Sequence, residues 1–124
     1  MHSLKQLKIW HKALKMADHV YTITNKFPAE ERYGIIQQMK RAAVSIGSNI
    51  TEGAGRNSEK EFNQFLGIAS GSTCELIFQS ELSFKKKLMD ANQLQELSEN
   101  LDHRIRMNFT LQNRLRNTGF GGQS

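Results

Sequence analysis

The stretch "SIGSNITEGAGRNSEKEF", residues 45–62, decides how this chain folds. On either side of it, apolar residues recur every three or four positions, which is typical of amphipathic helices. Within it the sequence changes to serine, glycine and asparagine. Gly53 is expected to end one helix, since glycine accepts the left-handed conformation. Ser58 and Glu61 have the capping-box spacing that begins another. The stretch therefore predicts a turn between two helices.

The same three- and four-residue steps predict four helices. The first is expected over residues ~4–26 and the second over ~29–52, because Pro28 can begin a helix but cannot continue one. The third runs from Ser58 to Phe84 or Leu88, and the fourth from about Asn92 to Leu115. The apolar stripe expected for the first helix consists of Leu7, Trp10, Leu14, Ala17, Tyr21 and Thr24.

Short connections between helices of similar length favour an all-α, antiparallel up-down-up-down four-helix bundle. We assign residues 1–116 to this single domain and residues 117–124, "NTGFGGQS", to a flexible C-terminal tail. The one cysteine, Cys74, excludes an internal disulfide and a multi-cysteine zinc site. There is no signal-peptide-like apolar run and no stretch long enough to span a membrane. We therefore expect a cytoplasmic protein that does not enter membranes.

Basic side chains are segregated along the chain, which carries a formal charge of +5. Lysines recur at helical spacing on the first helix, opposite its expected apolar stripe. Segregated positive charge of this kind suits a polyanion, most plausibly nucleic acid. The alternative is that solvated helix faces keep the protein soluble. The candidate nucleic-acid-binding residues are Lys5, Lys8, Lys12, Lys15, Arg56, Lys85, Lys86, Lys87, Arg104 and Arg106.

Catalytic and metal-binding patterns are weak. "GAGRNS" has the first two glycines of a dinucleotide-binding fingerprint but lacks the third and follows a helix rather than a strand. No histidine lies near Ser45 or Ser48 in sequence to activate a serine nucleophile. His11 and His19 are two helical turns apart, which is too wide for a metal site. We expect no enzymatic activity, no metal and no cofactor.

The two central helices each carry a second strip of small and polar residues beside the apolar stripe. We interpret these strips as a packing seam, either between subunits, with polar groups fixing the register, or at a tight crossing within the chain. Two glycines four positions apart would allow another helix to come close. The seam comprises Gly34, Gln38, Arg41, Ser45, Asn49 and Glu52 on the second helix, and Gly67, Gly71 and Glu75 on the third.

The segments "IWHKA", "VYTITNKFP", "ERYG", "QMKRAAVSIGSNITEGAGR" and "EFNQFLGIASGSTCEL", in this order, resemble the bacterial four-helix bundle proteins, also called 23S rRNA intervening-sequence proteins. The usual pattern has proline where this chain has Gly47 and alanine where it has Thr51. The resemblance implies a ring-like homopentamer, similar in architecture to the accessory variability proteins of diversity-generating retroelements. It makes Arg41 and Arg56 candidate partners for Glu52 and Glu75.

Two hypotheses of function follow. The first is a non-enzymatic homo-oligomer that binds structured RNA, or another nucleic acid, through phosphate contacts of its basic helix faces. Few exposed aromatic residues are expected for base stacking, which favours duplex over single-stranded RNA. The second is a structural or adaptor protein that binds another protein, with its charge serving solubility.

Overall fold

The computed structural model describes residues 2–117 and confirms the all-α four-helix bundle, with no strand in that range. The predicted tail, residues 117–124, lies outside the described residues apart from Asn117. Short 3₁₀ turns at Leu4–Gln6 and Ala29–Glu31 precede the first two helices. The helices are α1 (Lys8–Thr24), α2 (Gln37–Ala54), α3 (Glu59–Lys85) and α4 (Ala91–Leu115).

Neighbouring helices in the chain run antiparallel, because the turns between them are short. At one end of the bundle, the His2 amide donates to the Ala54 carbonyl at 2.9 Å. At that same end Gln112 Nε2 donates to the carbonyl of Asn63 at 3.2 Å. This N-terminal end therefore joins the start of α1, the end of α2, the start of α3 and the end of α4. The α3–α4 turn lies at the opposite end.

The core takes one apolar stripe from each helix. Each large side chain buried there contributes about 1.5–3 kcal/mol relative to an exposed position, so the stripes determine how each helix is rotated. The largest fully buried apolar side chains are Met39, Ile46, Ile50, Phe62, Leu66, Leu76, Leu97 and Leu101.

The stripe predicted for α1 is wrong in part, because Leu7, Trp10 and Ala17 are half-buried against the core but do not form its centre. Leu14 is 57% exposed and Tyr21 is 41% exposed, although Thr24 is buried as predicted. The predicted stripe and the residues of α1 that are buried both repeat at helical spacing. The predicted stripe contains the larger side chains, such as Trp10 and Tyr21, so it gives the stronger pattern in the sequence. As a result, a groove of apolar side chains remains open between α1 and α2. The residues of α1 that enter the core are Ile9, Ala13, Met16, Val20 and Ile23.

The second helix begins later than predicted. A wide π-helical turn at Arg32–Ile36 follows the 3₁₀ turn, and Gly34 leaves helical geometry with φ −112° and ψ −113°. Because of this kink, α2 begins at Gln37. Gly34 therefore lies in the kink and not on the face of α2, contrary to its assignment to the packing seam.

The turn between α2 and α3 needs Gly53 for a different reason from the one predicted. The helix continues through Gly53 to Ala54, and no described glycine has a positive φ. A Cβ added at Gly53 would lie 2.7 Å from the Phe65 Cβ and 3.0 Å from a ring carbon of Phe62. Glycine thus allows α3 to approach closely. Ser58 caps α3 as predicted, since its Oγ accepts from the Glu61 amide at 3.1 Å.

The α3–α4 turn also differs slightly from the prediction. Asp90, not Asn92, caps α4, in a reciprocal capping box with Gln93 at 2.8 and 2.9 Å. Before it, Lys87 takes a positive φ of 62°, which completes the tight turn.

Candidate nucleic-acid interface

The lysines of α1 lie beside its core stripe, on the side that meets α4. Lys8, Lys12 and Lys15 are exposed there, facing His103 and Arg106 of α4. We call these five residues the basic face. Lys5 is also exposed, but it lies in the 3₁₀ turn before α1 and lines neither cleft described next. The predicted set of four lysines is therefore only partly brought together.

Two clefts open side by side between α1 and α4, and His103 lines both. The lower cleft, nearer the N-terminal end, has a volume of about 560 Å³ and is lined by Lys8, Arg106 and apolar residues such as Met107. The upper cleft has a volume of about 380 Å³. The charged and titratable residues that line it are Lys12, Lys15, His19, Glu96, Glu99, His103 and Arg104.

Positive charge converges on His103. Its Nε2 lies 3.2 Å from Lys12 Nζ. Desolvation lowers the pKa of His103, and repulsion from Lys12, Arg106, Arg104 and Lys8 lowers it further. All of the charged groups that shift this pKa are cations. Because the cations of the basic face lie close together, an anion beside them would be stabilised.

Arg104 does not lie on the exposed basic face, contrary to the prediction. It is only 3% exposed and lines the inner wall of the upper cleft, where its Nη1 donates to the carbonyl of Ile9 at 3.4 Å. Its Nε is buried and has no hydrogen-bond partner among the described residues. Burial lowers the pKa of Arg104 to about 10. The sequence held a signal for this, because Leu97, Leu101, Arg104 and Asn108 follow helical steps on the buried side of α4.

Arg56 lies in the α2–α3 turn, away from the basic face. Its guanidinium is 3.8 Å from a carboxylate oxygen of both Glu52 and Glu61 and stacks over the Phe65 ring, 5.0 Å from the centroid. The Glu52 pairing is the one predicted, and it offsets the charge of Arg56. Arg56 is therefore a weaker phosphate contact than the prediction supposed.

The remaining predicted cations, Lys85, Lys86 and Lys87, are exposed at the end of α3. This is the end of the bundle opposite to Lys8, because α1 and α3 both start at the N-terminal end. The structure therefore does not bring these three lysines together with the basic face.

Part of the predicted packing seam lies inside the chain. Ser45 Oγ is 2.8 Å from Ser72 Oγ, which ties α2 to α3. Asn49 Nδ2 donates to both the carbonyl and the Oγ of Ser45, at 2.8 and 3.1 Å. For these residues the intrachain crossing, one of the two readings left open, is the one observed. Sequence reasoning missed Ser72, because nothing in its position on α3 distinguishes it from the other small residues near it in the sequence.

The rest of the seam is open surface. Gln38, Arg41 and Glu52 are exposed on α2, and Gly67, Gly71 and Glu75 are exposed on α3. A Cβ added at Gly71 would have no heavy atom within 4 Å, so no other part of the described chain covers this position, whereas one added at Gly67 would lie 3.8 Å from Gln112 Nε2. Phe78, on the same strip, is 69% exposed.

A second uncovered surface is the groove between α1 and α2, which sequence reasoning also missed. It has a volume of about 520 Å³. Trp10 closes one part of it by donating its Nε1 proton to Thr51 Oγ1 at 2.9 Å. Its apolar lining includes Trp10, Ala13, Leu14, Ala17, Ala43 and Val44.

Comparison with known proteins identifies the family. Residues 5–110 match the family model described as 23S rRNA-intervening sequence protein. The chain belongs to the 23S rRNA-intervening sequence protein family. The resemblance drawn from the sequence motifs is thereby confirmed. No curated protein matches this family member.

A solved structure similar to this family member is a protein of unknown function from the S23 ribosomal protein family of Bacteroides thetaiotaomicron. It superposes with a TM-score of 0.79 at 20% sequence identity, over 85% of this chain and 95% of that one. At this level of identity the likeness shows the shared helical fold alone.

Three further observations bear on this member of the 23S rRNA-intervening sequence protein family. Within residues 2–117, no cluster of three or more His, Cys, Asp or Glu side chains could hold a metal ion. None of the helices in that range has the length and apolar character needed to cross a membrane. Cys74 is exposed.

Proposed function

We propose that this chain binds structured RNA through phosphate contacts at the basic face and has no enzymatic activity of its own. The observation that carries the proposal is geometric: lysines of α1 and Arg106 of α4 line the two adjoining clefts around His103, whose Nε2 lies 3.2 Å from Lys12 Nζ. Such a site stabilises phosphate and is sensitive to salt. The family's name, which refers to 23S rRNA, supports RNA as the polyanion.

The lining of the two clefts favours phosphates over bases. The expectation of few exposed aromatic residues is wrong, since Tyr33, Phe78 and Phe109 are all more than half exposed. Among the described residues, however, neither cleft is lined by a phenylalanine, tyrosine or tryptophan on which a base could stack. Binding to single strands generally uses such stacking platforms. Lysine and arginine contacts to phosphate position a nucleic acid without reading its sequence. We therefore expect weak sequence specificity and a preference for duplex or folded RNA.

We further propose that the chain forms a homo-oligomer, for which the resemblance to the family implies a pentamer. Two uncovered surfaces support self-association: the apolar groove between α1 and α2, and the strip of α3 that carries Gly71 and Phe78. A second copy could place its α3 strip in the groove. Each copy would add one basic face, so the number of phosphate contacts would grow with the assembly.

The test is RNA binding by the purified, nuclease-treated protein, followed by fluorescence anisotropy of a labelled hairpin across a salt series. The basic-face variant is Lys8→Glu, Lys12→Glu, Lys15→Glu. We expect it to lose about 100-fold in affinity at 0.1 M salt and to show a shallower salt dependence, by about one unit of slope per lost contact.

The matched control makes the same charge change at the other end of the bundle: Lys85→Glu, Lys86→Glu, Lys87→Glu. We expect its loss of affinity to be at least tenfold smaller, because these lysines lie away from the basic face. Equal losses in the two variants would contradict the basic face and indicate a diffuse effect of net charge. Full affinity in the basic-face variant would also contradict it.

A second candidate function is that of an adaptor protein that binds another protein, and the same apolar groove favours it. Native mass measurement separates the two. An oligomer that dissociates on Leu14→Lys would show that the groove binds a second copy. If the protein is a monomer and does not bind RNA, the groove would be available to a different protein, and the adaptor function would be favoured.

A further inference from the structure

Arg104 is an unusual residue for the interior of a small bundle. Its guanidinium is buried, and its one hydrogen bond goes to a main-chain carbonyl rather than to a carboxylate. The Nε of the same guanidinium has no partner among the described residues. A buried charge without an opposite charge is destabilising. A side chain of this kind, lining a cleft, is poised to bind an anion that enters the cleft.

The upper cleft has a cationic part and an acidic part. Arg104, His103 and Lys12 lie toward the lower cleft, while Glu96 and Glu99 lie one to two turns earlier on α4. His19 also lines the cleft, and its Nε2 is buried without a partner among the described residues. An anion would therefore be stabilised most strongly beside Arg104, whereas in the other part of the cleft the single positive charge of Lys15 stands against two glutamates.

We propose that the upper cleft binds a phosphate monoester, the terminal phosphate of a nucleic acid strand, end-on against Arg104. The inference rests on the proposed function and adds to it a strand end as the preferred ligand. The lysines and Arg106 of the basic face contact phosphates within the strand, and Arg104 receives the terminal one.

The chemistry distinguishes a terminal phosphate from one within a strand. A monoester carries up to two negative charges near neutral pH and presents three terminal oxygens, one more than a diester, so its hydrogen bonds to a buried guanidinium are more strongly charge-assisted. A diester carries one charge, and its strand continues on both sides. A strand that crossed the upper cleft would run past Glu96 and Glu99, whose two negative charges outnumber the one positive charge of Lys15 there.

The dimensions of the cleft agree with this assignment. A volume of about 380 Å³ admits a phosphate with its sugar but not a duplex. The bond from Arg104 Nη1 to Ile9 holds the guanidinium in place before a ligand arrives. Because Arg104 is almost fully shielded from water, a hydrogen bond to it is stronger than one made on the exposed basic face.

The experiment compares RNA hairpins of one sequence whose single-stranded end carries either a terminal phosphate, at the 5′ or the 3′ position, or a hydroxyl. Affinity is measured by anisotropy at one salt concentration. We expect the wild-type protein to bind at least one of the phosphorylated RNAs about tenfold more tightly than the hydroxyl RNA. In Arg104→Met this preference should disappear, while the affinity for the hydroxyl RNA should change little.

Arg106→Met is the matched control, because it removes an exposed arginine from the same helix. It should weaken all the RNAs to a similar extent and retain the preference for the terminal phosphate. Arg104→Lys keeps the charge without the planar fork, and we expect it to lose most of the preference. Far-UV circular dichroism verifies that each variant is folded, and Arg104→Lys serves if Arg104→Met is not.

The outcomes separate the two proposals. Salt-dependent binding with no preference for a phosphorylated end would overturn the terminal-phosphate site and leave the basic face standing. A preference that survives in both Arg104 variants would also overturn it. If none of the RNAs binds at low salt, both proposals fail. Adenosine monophosphate should compete only weakly, and competition at an affinity equal to that of the phosphorylated RNA would assign the site to a free nucleotide instead.

Discussion

The contact between α2 and α3 and the contact between α1 and α4 are built in opposite ways. At the first, Gly53 lets the Phe65 side chain approach and a serine pair, Ser45 and Ser72, joins the helices at 2.8 Å. At the second, two clefts stay open between long basic side chains, and the buried Arg104 has no carboxylate partner within residues 2–117. The first contact is tightly packed and stabilising, whereas the second is less tightly packed and brings positive charges together.

Side-chain size accounts for the difference. Glycine and serine allow two helix backbones to come close, which increases dispersion contacts along the crossing. Lysine and arginine pack their alkyl chains against a neighbour while their charged ends reach solvent, so they hold the helices apart. Substitutions in the α2–α3 contact should therefore change stability, and substitutions in the α1–α4 contact should chiefly change binding.

The largest expected effect is that of Gly53→Ala. The added Cβ would lie 2.7 Å from the Phe65 Cβ, so the helices must move apart. We expect a loss of about 3 kcal/mol in the free energy of unfolding, measured by urea denaturation. Gly47→Ala is the control, because its Cβ would lie at an ordinary 3.7 Å from the Ala13 Cβ. That change should stabilise the protein by up to ~1 kcal/mol through helix propensity. Similar effects of the two substitutions would contradict the close approach at Gly53.

The next largest effect on the free energy of unfolding is expected from loss of the contact between Ser45 and Ser72. Ser72→Ala leaves Ser45 Oγ without its α3 partner, and we expect a loss of about 1 kcal/mol. A double-mutant cycle with Ser45→Ala should show that the two losses are not additive. Ser48→Ala, at an exposed site on α2, should change stability by less than about 0.5 kcal/mol. Additive losses for the pair would mean that the hydroxyl contact does not stabilise the α2–α3 crossing.

Arg104→Met tests the α1–α4 contact in the same denaturation assay. Removing a buried charge that lacks a carboxylate partner is expected to be neutral or stabilising, within about 1 kcal/mol of the wild type. A loss of more than about 2 kcal/mol in the free energy of unfolding would show that Arg104 stabilises the fold through its bond to Ile9. The α1–α4 contact would then be a stabilising one, contrary to the comparison made above.

The smallest effect concerns pH. The pKa of His103 lies below its usual 6.5 because of desolvation and the nearby cations. As the pH falls below 6.5, the unfolded chain takes up this proton before the folded one does, so stability decreases until the folded value is passed. His103→Gln should therefore lose less stability than the wild type between pH 7.5 and 5. Equal pH profiles would contradict this. The charged and titratable groups that line the two clefts with His103 are Lys8, Lys12, Lys15, His19, Glu96, Glu99, Arg104, Arg106 and Arg114, and Asp102 precedes it in the chain.

The candidate site could be predicted only in part. Helical spacing alone placed Lys8, Lys12 and Lys15 on one face of α1, and they do share a face. The same spacing could not show that His103 and Arg106 of α4 stand opposite them. Charge usually indicates exposure, and for that reason the sequence predicts Arg104 among the exposed cations. Its burial depends on the rotation of α4, which the packing of all four helices determines.

The sequence by itself determined the class of the fold, the cap at Ser58 and the membership of the family, because helix period and local caps depend on residues a few positions apart. Only the tertiary structure decided which of two apolar stripes on α1 enters the core and why Gly53 is a glycine. It also decided which cations meet. These outcomes depend on contacts between residues far apart in the chain, where two local patterns of similar strength compete and the packing of the whole bundle selects one.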